Sequence, residues 1–253
     1  MEWHKKRMDL FRWIDSGNSI CLQVSCPRSG RNWLRYLISE SLDRDDQAII
    51  SVENCEAPYH QYVYLMWHIT TDRPDPPRNC KYISLIRDPR DVLLSRAYSH
   101  IIKQRPSSRE LTNEDIEFQI WRLSHDEINS WVTYHEKLPP LDPLVIQYEY
   151  MCLQPEKVIT QVLDFLNLES KKTISEIVKH RDETVVNPYL LQDRSEGIIY
   201  QTGMERYNDH CLKWQKCEQF TRKHNEKVWE DLAYLMEPLG YTKDGHNLQL
   251  IER

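Results

Sequence analysis

Apolar and polar residues alternate at the start of the chain, where Ile20, Leu22 and Val24 are separated by Cys21, Gln23 and Ser25, the period-two pattern of a strand over 19–26. The pattern breaks at Pro27-Arg28-Ser29-Gly30 and resumes with Leu34, Leu37, Ile38 and Leu42 at helical spacing. The same order recurs at 81–86, which turns at Arg87-Asp88-Pro89 into a second helix. There Asp88 is a natural N-cap, Pro89 suits the first helical position, and Asp91 lies where an anion favours the helix dipole. A third strand is predicted over 144–150, followed by a helix opened by Pro155 and striped by Val158, Val162, Phe165 and Leu166. Strands alternating with helices predict an α/β fold with a central parallel sheet flanked by helices. Two further helices are predicted over 115–138 and 216–236, the latter with Phe220, Trp229, Leu232, Leu235 and Met236 as its apolar stripe. The Pro-rich connections at 72–79 and 138–143 and the polar one at 104–113 are too short to divide the chain, so one domain is expected over 1–253.

Composition narrows the function classes. The chain has 253 residues, 40% of them hydrophobic, which is enough for a real core. Its net charge of −6 disfavours a nucleic-acid partner, whose binders carry a basic face, so any anion site must be local. No apolar run reaches the ~18 residues of a membrane span, and Glu2, Lys5, Lys6, Arg7, Asp9 and Arg12 interrupt the opening segment where a signal peptide would be uninterrupted. The expectation is a cytoplasmic protein with no membrane partner. Seven scattered cysteines without a CxxC pair predict neither a disulfide framework nor a metal site.

The turn after the first strand is where backbone N–H groups and a helix dipole favour a phosphate. Against the nucleotide-binding pattern GxxxxGK[ST], Ser25 stands for the first Gly, Arg31 for the Lys and Asn32 for the Mg²⁺-ligating hydroxyl, which disfavours a Mg-nucleotide. What remains is a fixed cation, Arg28, a hydroxyl on Ser29, and Trp33 one turn into the helix. At the second turn, Arg87 and Ser95 could together grip another phosphate, since guanidinium plus hydroxyl is a strong oriented pair; Arg87 could equally pair with Asp91. Two such turns suggest a nucleotide with two separated phosphate groups.

Those residues carry a family resemblance. The stretch from Cys26 to Arg35, CPRSGRNWLR, resembles the phosphosulfate-binding loop of sulfotransferases, and YISLIRDPRDVLLS over 82–95 resembles their 3′-phosphate motif. IQYEYM over 146–151 resembles the YEDM segment, and the likeness extends over about 20–241. The resemblance implies a P-loop-like sulfotransferase fold and transfer of a sulfuryl group from 3′-phosphoadenosine 5′-phosphosulfate (PAPS), leaving 3′-phosphoadenosine 5′-phosphate (PAP), to a small-molecule hydroxyl or amine, with no metal required. It implies that Arg28 contacts the leaving phosphate and that Ser29, Gly30, Arg31 and Asn32 hold the 5′-phosphate. It assigns Arg87 and Ser95 to the 3′-phosphate, Trp33 and Tyr148 to adenine, and His68, in LMWHIT, to the role of general base.

The sequence departs from the family in three places. Met66 stands where a Lys often precedes the base by two residues. The late R-K-G-x-x-G-x-W segment is faintly echoed around Gly203, with Gln201 in place of its Arg and Arg194 or Arg206 as substitutes. The dimer motif near the C-terminus keeps Thr221 and Glu226 but has Cys217 and Arg222 for Lys and Val, which leaves a homodimer open. Rival readings are a nucleotide-binding regulatory module without catalysis and, ranked lower, a Mg-dependent P-loop kinase.

Overall fold

Residues 2–16, 21–25, 29–42, 64–67, 79–104, 112–137, 142–183 and 211–246 are described by a computed structural model. Four strands, β1 (Cys21–Ser25), β2 (Tyr64–Trp67), β3 (Lys81–Ile86) and β4 (Leu144–Gln147), form one sheet in the order β2-β1-β3-β4, with every pair parallel. Register is set by Cys21 opposite both Tyr64 and Lys81, and by Ile83 opposite Leu144. The chain leaves β1 toward β2 on one side, then crosses back to β3 and on to β4. The direction of winding therefore reverses between β1 and β3, and in open parallel sheets the crevice beyond the carboxyl ends of such strands is the ligand site.

Helices cover both faces, so all five residues of β1 are buried, as strands sandwiched between two helical layers must be. Leu22, Val24, Tyr82 and Ile86 face one layer, packing with α1 (Glu2–Asp15), α3 (Pro89–Gln104), α4 (Asn113–Lys137) and α9 (Arg222–Met236). Cys21, Ile83, Leu85, Leu144 and Ile146 face the other, against α2 (Arg31–Leu42), α5 (Tyr148–Leu153), α6 (Pro155–Leu166) and α7 (Ile174–Glu183). The long helix α4 is keyed to the sheet by Tyr134, whose hydroxyl donates to the Val24 carbonyl at 3.0 Å and lies 2.7 Å from the Ser84 hydroxyl. Truncating a residue such as Leu22, which is fully enclosed, costs about 2–5 kcal/mol. No helix among the described residues is long and apolar enough to cross a membrane.

Two expected elements differ. The helix expected over 216–236 is two helices, α8 (Lys213–Lys216) and α9, separated by a turn in which the Phe220 N–H donates to the Cys217 carbonyl. Thr221 then caps α9, its N–H donating to His224 Nδ1 at 2.9 Å, so Phe220 reaches the core from a turn and not from a helical stripe. The strand expected over 144–150 stops at Gln147, where Tyr148 and Glu149 turn away to make long-range contacts that outweigh the β propensity of the tyrosine. A short hairpin, β5 (Tyr241–Thr242) and β6 (Gly245–His246), closes the described chain.

Candidate nucleotide site

The β1–α2 turn works through its backbone. Gly30 has φ +83°, the left-handed region that costs a residue with a Cβ ~1–2 kcal/mol. A Cβ there would also overlap the ring of Tyr148, so glycine is required twice over. Ser29 is wholly buried, and its hydroxyl has no hydrogen-bond partner among the described residues. Such a group is costly unless something satisfies it, and a ligand oxygen would. Arg31, Asn32 and Trp33 form the first turn of α2, where helix N–H groups lack intrahelical acceptors; Leu34 N–H, bonding back to the Gly30 carbonyl, begins the ladder. No acidic residue lies in that first turn to compete with an anion.

The β3–α3 turn works through side-chain charge. Arg87 follows the last residue of β3 and is nearly buried, its guanidinium 4.5 Å from the centre of the Tyr148 ring. Burial alone would lower its pKa, but Tyr148, Asp91 and Glu149 together outweigh that and raise it, so the charge is permanent. Asp88 caps α3, accepting the Arg90 N–H at 2.9 Å, as its sequence position predicts. Its carboxylate is paired with the Arg90 guanidinium at 2.7 Å, both groups being fully enclosed. Arg90 also donates to Asn225 Oδ1 and the Lys243 carbonyl and stacks 4.0 Å from Trp214, so this cation is bound up in the protein itself. Asp91 accepts the N–H groups of Leu212 and Trp214 at 2.9 and 3.1 Å. Burial pushes its pKa to about 6, against the opposing pull of Arg87.

Tyr148 joins the two turns. It starts α5 directly beyond β4, and one ring touches both Gly30 and the Arg87 guanidinium. Burial holds its phenol well above its ordinary pKa, so it stays neutral. Ser95 lies half-buried in α3, four residues beyond Asp91 and on the same side of that helix. Arg28, His68 and Gly203 lie outside the described residues, although β2 ends at Trp67, one residue before His68.

Sequence reasoning did not single out Glu149. It is fully buried, accepts the Asp88 N–H at 2.8 Å and the Tyr241 hydroxyl at 2.9 Å, and ties β3, α5 and the terminal hairpin together under Arg87. A carboxylate between two tyrosines in an otherwise apolar stretch was the available signal. Collectively, the buried unsatisfied hydroxyl, the left-handed glycine at a helix N-terminus and the guanidinium over an aromatic ring form a donor set suited to two phosphates of one nucleotide.

Comparison with known proteins gives the fold and the family. The structure is similar to that of mouse sulfotransferase SULT7A1 complexed with PAP, at 16% identity and TM-score 0.58, covering 89% of this chain and 88% of that one. It is also similar to retinol dehydratase in complex with androsterone and inactive cofactor PAP, at 13% identity and TM-score 0.56, covering 90% and 85%. A retinol dehydratase complex with retinol and PAP aligns at 15% identity and TM-score 0.52, covering 85% and 81%. At these identities the likeness establishes the fold. A sequence search among curated proteins finds no significant match. The family model described as a sulfotransferase domain matches residues 76–240, from the lead-in to β3 through the β3–α3 turn and on to the end of α9. The chain belongs to the sulfotransferase family, whose members take their sulfuryl group from PAPS.

Proposed function

We propose that this enzyme moves the sulfuryl group of PAPS to the hydroxyl of a small molecule within a single domain spanning 1–253. The observation that carries the reading is the Tyr148 ring, which draws the backbone turn at Gly30 and the charged turn at Arg87 to one place beyond the sheet. PAPS, when bound, supplies an activated sulfuryl group and a stable leaving phosphate. The Ser29 hydroxyl and the N–H groups opening α2, at Arg31, Asn32 and Trp33, orient the 5′ end, and Arg87 with Ser95 holds the 3′-phosphate. Tyr148 and Trp33 flank the base, and Gly203 lies in the segment that completes the 3′ side.

Arg28 serves as a fixed charge beside the leaving oxygen, since a guanidinium donates no proton at neutral pH. His68 accepts the proton of the attacking hydroxyl on its imidazole. Both roles rest on their motif positions. Retinol and androsterone, named with the retinol dehydratase structures, are apolar alcohols, which supports a small hydroxylated acceptor here. Because Met66 and Gln201 depart from the family, a nucleotide-binding module without catalysis is the second reading.

Titration with PAP while following tryptophan fluorescence, then an acceptor screen with PAPS, separates the readings. Saturable PAP binding with sulfation of an alcohol supports the enzyme, and binding without sulfation of any alcohol, phenol or amine supports the module. In the enzyme, Arg28→Ala collapses turnover while PAP affinity stays within about tenfold, and His68→Ala abolishes sulfation of an alcohol.

A further inference from the structure

Among the described residues, Glu149 sits in a cluster with more acid than base. The groups facing it are Arg87 at the end of β3, Asp88 and Asp91 at the start of α3, Tyr241 on β5, and the Cys211 thiol ahead of α8, with Tyr148 its neighbour on α5. Asp88 is matched by Arg90, which leaves Arg87 facing two carboxylates, Asp91 and Glu149. Asp91 accepts two backbone N–H groups. One of the groups holding Glu149 is the Tyr241 hydroxyl, which can accept as well as donate, whereas the Leu212 and Trp214 N–H groups on Asp91 can only donate, so Glu149 can take a proton and keep these contacts.

We infer that nucleotide binding is proton-linked through Glu149: when a phosphate dianion settles on Arg87, Glu149 takes up one proton from solvent, so the buried cluster gains one negative charge instead of two. This rests on the reading above that Arg87 receives a phosphate. The proton goes to Oε2, where the Tyr241 hydroxyl turns from donor to acceptor; Oε1 keeps the Asp88 N–H. Burial, aided by repulsion from Asp88, already brings the carboxyl to about 7, so it is near half-titrated at neutral pH before any ligand arrives. A nearby dianion raises it further. The extra affinity is therefore full below the free protein's value and is lost as pH rises through the bound-state value.

The test is calorimetric titration of the full chain with PAP in two buffers of different ionisation enthalpy. At about pH 7.5, the wild type takes up several tenths of a proton more per PAP than Glu149→Gln. Its Kd weakens about 3–10-fold between roughly pH 6.5 and 8.5 beyond any change in that variant. Ionisation of the nucleotide's own phosphate contributes alike to both proteins and cancels. Should Glu149→Gln not fold, Tyr241→Phe removes the hydroxyl that supports the ionised carboxyl, and proton uptake then moves to higher pH; an unmoved profile overturns the proposal. PAP binding with equal proton counts in wild type and Glu149→Gln overturns it while leaving the nucleotide site intact. Loss of uptake in Asp91→Asn but not in Glu149→Gln overturns it in favour of Asp91. Failure of PAP to bind at millimolar concentration overturns this proposal and the proposed function together.

Discussion

The turns after β1 and β3 lie side by side at the same edge of the sheet, each joining a strand to a helix, yet they are built on opposite principles. At β1–α2 a left-handed glycine, a buried hydroxyl and the open end of a helix offer uncharged donors, while Arg28 and the Arg31 side chain lie outside what is described. At β3–α3 the donor is a buried guanidinium that faces carboxylates, while a second guanidinium, Arg90, is locked to Asp88. The first needs shape and tolerates no Cβ. The second needs charge balance, and so responds to protons. A single tyrosine ring lets the two operate as one site.

The largest effect tests the shape side. Gly30→Ala must place a methyl group into the Tyr148 ring at a left-handed φ, costing about 3–5 kcal/mol in stability and more than 100-fold in PAP affinity, read by denaturant melts and fluorescence titration. A variant that folds and binds like wild type would break the comparison. Next comes pH, which distinguishes the charged turn. The carboxyl of Glu149 rises from an ordinary 4.5 to about 7 on folding, and that of Asp91 from 3.8 to about 6. The folded state thus binds protons that the unfolded chain has released, so stability is greatest below the unfolded values and declines as pH rises through the folded ones. For Glu149 the loss reaches about 3 kcal/mol between roughly pH 5 and 8, and Glu149→Gln flattens this slope in urea melts at the two pH values.

Arg87→Ala ranks third, weakening PAP by about 30–100-fold through loss of a charged hydrogen-bond donor. An unchanged Kd removes Arg87 from the nucleotide site. Smallest is Ser29→Ala. Deleting an unsatisfied buried hydroxyl leaves the ligand-free protein as stable or up to about 1 kcal/mol more so, while PAP affinity falls about 3–10-fold. Opposite signs in melting and in titration would show that the hydroxyl is kept for the ligand and not for the fold.

The contrast between Arg87 and Arg90 explains how far sequence could go. Both stand in RDPR, three residues apart and chemically identical. Local rules identified the turn, because Asp88 as cap and Pro89 as first helical residue act on their immediate neighbours. They could not say which arginine is bound to Asn225 and the Lys243 carbonyl and which lies over a tyrosine. That depends on residues more than 130 positions away in one case, Asn225, and 61 away in the other, Tyr148 (148 − 87 = 61).

By itself, then, the sequence determined the alternation of strands and helices, the two turns and their chemistry, because hydrophobic period, proline, glycine and capping residues operate within a few positions of one another. The tertiary structure alone decided that Tyr148 and Glu149 leave β4, that Phe220 enters the core from a turn, and that Glu149 accepts the Asp88 N–H next to Arg87 in the chain. Those outcomes follow from packing and charge between segments far apart in the chain, where burial removes water and makes each partner's identity decisive.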